Sequence, residues 1–219
     1  MIKTFALPKL IYPLTVLENP SVEHINIINK NMFDFLWDNK PDKINRKTII
    51  QNYENGGLKM IDLNFFLKSI KAGWAKSIMN NRNNGDWKHI YARQLDKIGG
   101  TLIFESNINT KDFKNTFKIE SNFLDEIIQA WLSINFNENT ENIKKEIIWN
   151  NTNIKNDNKT LLYKSWLDKG IKNIEHIFDS RLKIFFTFQH MKTTYNLNTS
   201  DFLKYHTLIQ SIPQSWKIK

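Results

Sequence analysis

The chain of 219 residues contains no cysteine, and that absence excludes disulfides, thiolate zinc sites, zinc knuckles and cysteine nucleophiles. It fits a reducing intracellular setting, nucleus or cytoplasm. Glycine and proline are scarce, at seven and five. A fold built on many tight turns, or one that cradles phosphate in a glycine loop, is therefore disfavoured from the outset. Arginine is scarcer still: four against 27 lysines, beside 29 asparagines and 30 isoleucines, a bias that an AT-rich coding sequence also produces. Three N-x-[ST] matches, at Asn150, Asn158 and Asn198, arise easily in so asparagine-rich a chain, so glycosylation is the weaker reading. Long apolar runs are missing too. The opening from Phe5 to Leu17 carries Pro8, Lys9 and Pro13 and falls short of the roughly 20 residues that span a bilayer. It lacks a small-residue cleavage site as well. No membrane association is expected.

Catalytic signatures are equally sparse. No two aspartates are adjacent, so the local two-carboxylate metal platform of common polymerases cannot be assembled. His24, His89, His176, His190 and His206 never form an H-x-x-x-H pair, and each reads as a surface or half-buried histidine. Gly99-Gly100-Thr101 lacks the lysine of a phosphate loop and reads as a helix stop. No G-x-S-x-G elbow occurs. No cofactor and no metal are expected, and no stand-alone activity.

What the chain does have is apolar and aromatic residues at helical spacing. Hydrophobic residues make up 41%, with fifteen Phe and seven Trp, which is enough for a packed core and too much for disorder. From Ser21, the positions Val22, Ile25, Ile28, Met32 and Phe35 lie on one helical face. Asp62 caps a second helix carrying Leu63, Phe66, Leu67, Ile70, Trp74 and Ile78, with Lys68, Lys71 and Lys76 mainly off that face. Further helices start at Asp86 and Ser121, span Leu161 to Lys169 and Ser180 to Tyr195, and start again at Ser200, where Pro213 ends the last one. Thr48–Ile50 and Leu58–Ile61, joined across Gly56-Gly57, read as the one β-hairpin. The expected fold is mainly α, a helical bundle-like assembly with one small β-hairpin. Residues 1–80 read as a helical region with the hairpin, 81–150 as a helical middle and 151–219 as a C-terminal helical segment. The asparagine-rich stretch from Asn150 to Lys159 is the best boundary candidate.

Charge is uneven along the chain. Residues 1–100 carry 15 basic against 9 acidic groups, residues 101–150 carry 5 against 8, and residues 151–219 carry 11 against 5. Two basic flanks around an acidic middle suit a protein that holds a polyanion; the bland alternative is a solvated lysine-rich surface.

Four stretches carry a family resemblance. Leu7-Pro8-Lys9-Leu10 to Leu17 leads to a helix ending Phe35-Leu36-Trp37 and then to Lys43–Lys47. Asn55-Gly56-Gly57-Leu58 leads to Asp62-Leu63 and a helix with Ala72 and Trp74. Trp131 and Trp149-Asn150 follow, and then Trp166, Gly170-Ile171, Ile174, Phe202, Tyr205, Gln210 and Trp216. In this order they resemble the part of LINE-type non-LTR retrotransposon reverse transcriptases, the RNA-directed DNA polymerases of these mobile elements, that follows the catalytic palm. The resemblance implies a thumb-like start, with endonuclease and palm lying upstream in the same polyprotein. The family's cysteine-histidine knuckle is absent here.

The function this implies is nonspecific, phosphate-directed binding of RNA and DNA. The candidate contacts are Lys68, Lys71, Lys76 and Arg82 in the first basic segment and Lys155, Lys159, Lys164 and Arg181 in the second. A degenerate remnant or helical interaction domain without nucleic-acid function is the alternative, with an enzyme of unrecognised type behind it. Trp37, Trp74, Trp131 and Trp166 sit on apolar stripes, where core packing outweighs base stacking. Gly56 and Gly57 read as turn geometry before phosphate approach.

Overall fold

The structure is a computed structural model that describes residues 6–80, 85–135 and 142–217. The chain is mainly helical, as the periodicity predicts, and it divides into two compact units, Met1–Ser77 with Ser121–Ala130, and Ile78–Glu120 with Trp131–Lys219. The break between 150 and 151 that the asparagine-rich stretch suggests lies inside the second unit.

In the first unit, α1 (Leu7–Val16) carries Pro8 in its first turn, where a missing N–H costs nothing, and the backbone N–H of Leu17 reaches back to the Pro13 carbonyl. α2 (Val22–Leu36) is capped by Ser21, whose hydroxyl accepts from the His24 N–H. α4 (Leu63–Met79) is capped by Asp62, whose Oδ1 accepts from the N–H groups of Asn64 and Phe65 at 2.9 and 3.2 Å. The apolar stripes then pack as expected. Leu14, Ile25, Leu63 and Leu67 bury one cluster, and Met32, Phe33, Ile49 and Met60 bury a second.

The expected hairpin is not formed. Residues 46–50 wind into a short helix, α3 (Arg46–Ile50), because Asn45 accepts from the Lys47 N–H and starts a turn. The chain then comes back beside it as a loop. The Ile49 carbonyl accepts from both Leu58 and Met60, and the Gln51 carbonyl accepts from Lys59, whose φ of 51° breaks strand alternation. Gly56 does adopt a positive φ of 75°, but Gly57 is required for a different reason. A Cβ there would stand 2.0 Å from the Gln51 carbonyl oxygen and 2.6 Å from that of Thr48.

In the second unit, α5 (Trp87–Asp96), α6 (Thr110–Thr116) and the later turns of α7 (Asn122–Asn135) are followed by two hairpins, β1 (Lys155–Asn156) with β2 (Lys159–Thr160), and β3 (Phe178–Asp179) with β4 (Ile184–Phe185). The second hairpin occupies the first half of the stretch expected to be a helix from Ser180. α9 (Phe188–Tyr195) covers only the rest, since Thr187 caps it by accepting from the His190 N–H. Between the hairpins stands α8 (Lys164–Leu167), and α10 (Phe202–Ser211) and α11 (Gln214–Lys217) end the chain. Trp149 and Trp166 are fully buried, with ring centroids 6.4 Å apart and Tyr163 against both.

The asparagine-rich stretch begins in the core and ends in the exposed turn of the first hairpin. Asn150 and Asn151 are wholly buried. Asn150 donates its amide to the Ile98 carbonyl at 2.8 Å, and Asn151 donates to the Ile147 carbonyl while accepting from the Asn153 N–H. Their side chains satisfy backbone groups at a φ of 51° at Asn150 that asparagine tolerates better than most residues.

Replacement of Gly57 by Ala should destabilise the protein by about 1–3 kcal/mol through forced backbone displacement, and Gly56→Ala by about 1–2 kcal/mol through left-handed strain alone. Urea unfolding of both variants measures the difference. Equal, negligible effects would contradict the close packing at Gly57.

Candidate nucleic-acid interface

Lys71 was expected on the exposed face of its helix, and the structure corrects this. It occupies an inner position of α4 and is wholly buried. Its ammonium donates to the Leu17 carbonyl, lies 3.3 Å from Glu126 Oε2 and sits 3.9 Å from the Phe123 ring centre. Glu126 in turn accepts the Asn19 N–H with both oxygens at 2.9 Å. One turn along, Trp74 donates its indole N–H to the Thr15 carbonyl at 2.8 Å and meets Phe123 edge-on at 5.7 Å. α4 and α7 thus hold the chain leaving α1 by its own backbone. A buried ammonium persists only when paired and hydrogen-bonded, which explains the constellation. Burial pushes the Lys71 pKa down from its ordinary value, and Glu126 resists that shift. Lys71 is out of reach of a phosphate.

The other expected contacts divide into free and occupied charges. Lys68 and Lys76 are exposed on α4, and Lys159 is exposed on β2; none of the three forms an ion pair among the described residues. Arg181 is exposed in the turn of the second hairpin, beside Asp179, whose carboxylate is held low by the N–H groups of Leu182 and Arg181. Lys155 is taken up by the nearly buried Asp112 at 2.7 Å, and Lys164 is paired with Asp96. The acidic groups that make the middle of the chain negative include Asp112, so part of the apparent basic excess of the second flank is answered internally. Arg82 lies outside the described residues.

Exposed aromatics are the feature that helical stripes did not reveal. All seven tryptophans are buried or half-buried, in keeping with core packing. Phe65 and Tyr53 are the opposite, 69% and 64% exposed. Each has a lysine above its ring: Lys68 at 5.9 Å from Phe65 and Lys59 at 5.1 Å from Tyr53. In the same unit, α2, α3 and the start of α4 line an open cleft of about 360 Å³, walled by Asn26, Asn29, Arg46, Asp62 and Asn64 together with Phe33, Ile50 and Ile61. Arg46 sits 4.4 Å over the Phe33 ring and donates Nε–H to Asp42 at 2.6 Å. The spacing of Asn26, Asn29 and Phe33, three and four residues apart, was the available sequence signal. With 29 asparagines spread along the chain, that spacing does not stand out.

Comparison of the chain with protein-family models, with curated proteins and with solved structures finds no match. The chemistry open to the surface is read from its residues: cationic point charges that can meet an anion and exposed ring faces that can stack. Among the described residues no group of three or more His, Asp or Glu is placed to hold a metal ion. No helix described is long and apolar enough to cross a membrane.

Glu126→Gln should cost about 3 kcal/mol at neutral pH, because it strands the Lys71 charge without its anion. Since the folded pKa of Lys71 lies below 10.5, the folded state holds fewer protons than the unfolded state between those two values. Stability attributable to Lys71 therefore rises with pH through that window. Chemical unfolding at several alkaline pH values should show the rise in wild type and not in Lys71→Met; an identical pH profile in both would refute the buried, depressed ammonium.

Proposed function

We propose that this protein is a nucleic-acid-gripping portion of a LINE-type retrotransposon reverse transcriptase, without a palm in this chain. It holds RNA or DNA by phosphate contacts that are independent of sequence, and a palm upstream in the same polyprotein would supply the chemistry. The observation that carries the reading is the pairing of exposed rings with lysines, Tyr53 with Lys59 and Phe65 with Lys68, on a chain of net charge +9. Rings left in water next to cations suit a ligand that offers both π faces and phosphates. A second reading, a helical interaction domain, is favoured by the exposed apolar side chains Tyr12, Val22 and Leu203.

Of the contacts expected from the sequence, those still available to a polyanion are Lys68, Lys76, Lys159 and Arg181. Each phosphate contact releases counterions, so affinity should fall by orders of magnitude between about 50 mM and 0.5 M salt. Reversing these four residues to Glu should abolish binding in a gel-shift or anisotropy titration and leave the helical spectrum and melting temperature nearly unchanged, because exposed charges contribute little to stability. Failure of the wild type to bind any nucleic acid at about 50 mM salt would favour the interaction-domain reading, and salt-insensitive binding would defeat the electrostatic mechanism. The purified chain should not extend a primed template with magnesium. Robust extension would overturn the assignment to a palm-less portion.

A further inference from the structure

The cleft formed by α2, α3 and the start of α4 has no lysine in its lining. Its floor is apolar, from Phe33, Ile50 and Ile61, and its rim carries three asparagines, one arginine and one aspartate. The amides of Asn26 and Asn29, three residues apart on α2, make no hydrogen bond to any described residue, so four donors and two carbonyl oxygens stand open on one helical face. Arg46 is fixed on one side by Phe33 at 4.4 Å and at Nε by Asp42 at 2.6 Å. Its side chain nevertheless remains 45% exposed, and its terminal amino groups are without partners among the described residues. A guanidinium held in this way is a ready stacking plane, and free amides read base edges.

We propose that this cleft takes one unstacked nucleotide of a single strand. The base stacks on the outer side of the Arg46 guanidinium, with its edge meeting the Asn26 and Asn29 amides. The Asp62 carboxylate, whose Oδ1 is engaged in capping α4, is a poor neighbour for phosphate and keeps the sugar-phosphate at the rim. At about 360 Å³ the space falls at the small end of ligand pockets, which run from roughly 300 to 1,000 Å³, so it suits one nucleotide and not a duplex. The inference rests on the nucleic-acid-binding reading above and adds to it a preference for single strands that charge alone does not provide.

The test measures the anisotropy of a short single-stranded RNA, and of the same sequence as a duplex, against the full chain at one salt concentration. Asn26→Ala with Asn29→Ala changes no charge and raises helix propensity within α2, so the variant should fold, as its helical spectrum will show. Loss of two hydrogen bonds should weaken single-strand binding about tenfold, with duplex binding unchanged. Arg46→Lys keeps the charge and removes the planar fork; it too should weaken the single strand only. Unchanged binding in both variants, or an equal loss for strand and duplex, would overturn the cleft while leaving the electrostatic reading standing. Absence of wild-type binding to either probe would overturn both.

Discussion

The first unit depends on how one ammonium is kept out of water. Lys71 is buried, and everything its charge needs is drawn from elements remote in sequence: the carbonyl of Leu17, the carboxylate of Glu126 and the ring of Phe123. Glu126 closes the arrangement by accepting the backbone of Asn19. A hydrophobic side chain at position 71 would fill the same space but could not grip the polypeptide leaving α1. The cost of burying the charge is offset by specifying where that segment lies, a use of buried ion pairs that a purely apolar contact does not supply.

In the second unit the comparable constraint is met by neutral groups. The wholly buried Asn150 and Asn151 give their amides to the carbonyls of Ile98 and Ile147, next to the Trp149 and Trp166 pair. Glu146 accepts from the Asn151 amide, and burial still pushes its carboxyl above the ordinary range. Trp149 donates its indole N–H to the Ile171 carbonyl. Large rings supply the buried area while asparagines satisfy the irregular backbone between them, which is how a region of short hairpins and brief helices acquires a core.

This internal use of polar side chains changes how the surface is read. Several lysines that look alike in sequence are committed to carboxylates, as Lys155 is to Asp112 and Lys172 to Glu105. The cations left over stand on exposed helix and hairpin positions, and some lie against exposed rings. Free charges and exposed rings are what the proposed nucleic-acid grip would use, and the polar cleft around Arg46 is the seat proposed for one base.

Helical class, the extents of α2 and α4 and their caps at Ser21 and Asp62 were legible from the sequence, because apolar period and capping residues are local properties. So was the inward placement of Trp37, Trp74, Trp131 and Trp166, the last fully buried and the others half-buried. The segment Thr48–Ile61 was not legible as a helix and return loop, since the local Asn45 cap starts only a single short helix and the double acceptance at the Ile49 carbonyl, which outweighs β propensity, exists only once the chain has folded back. The asparagine-rich stretch misled for a related reason: the same amide that solvates a linker can satisfy buried backbone, and composition does not distinguish the two. Lys71 and Lys68 are three residues apart on one helix, yet one is interior and the other in water. Periodicity locates a helix face, but only the packing of α7 and the end of α1 against that face decided which lysine is a structural pin and which is free to meet a phosphate.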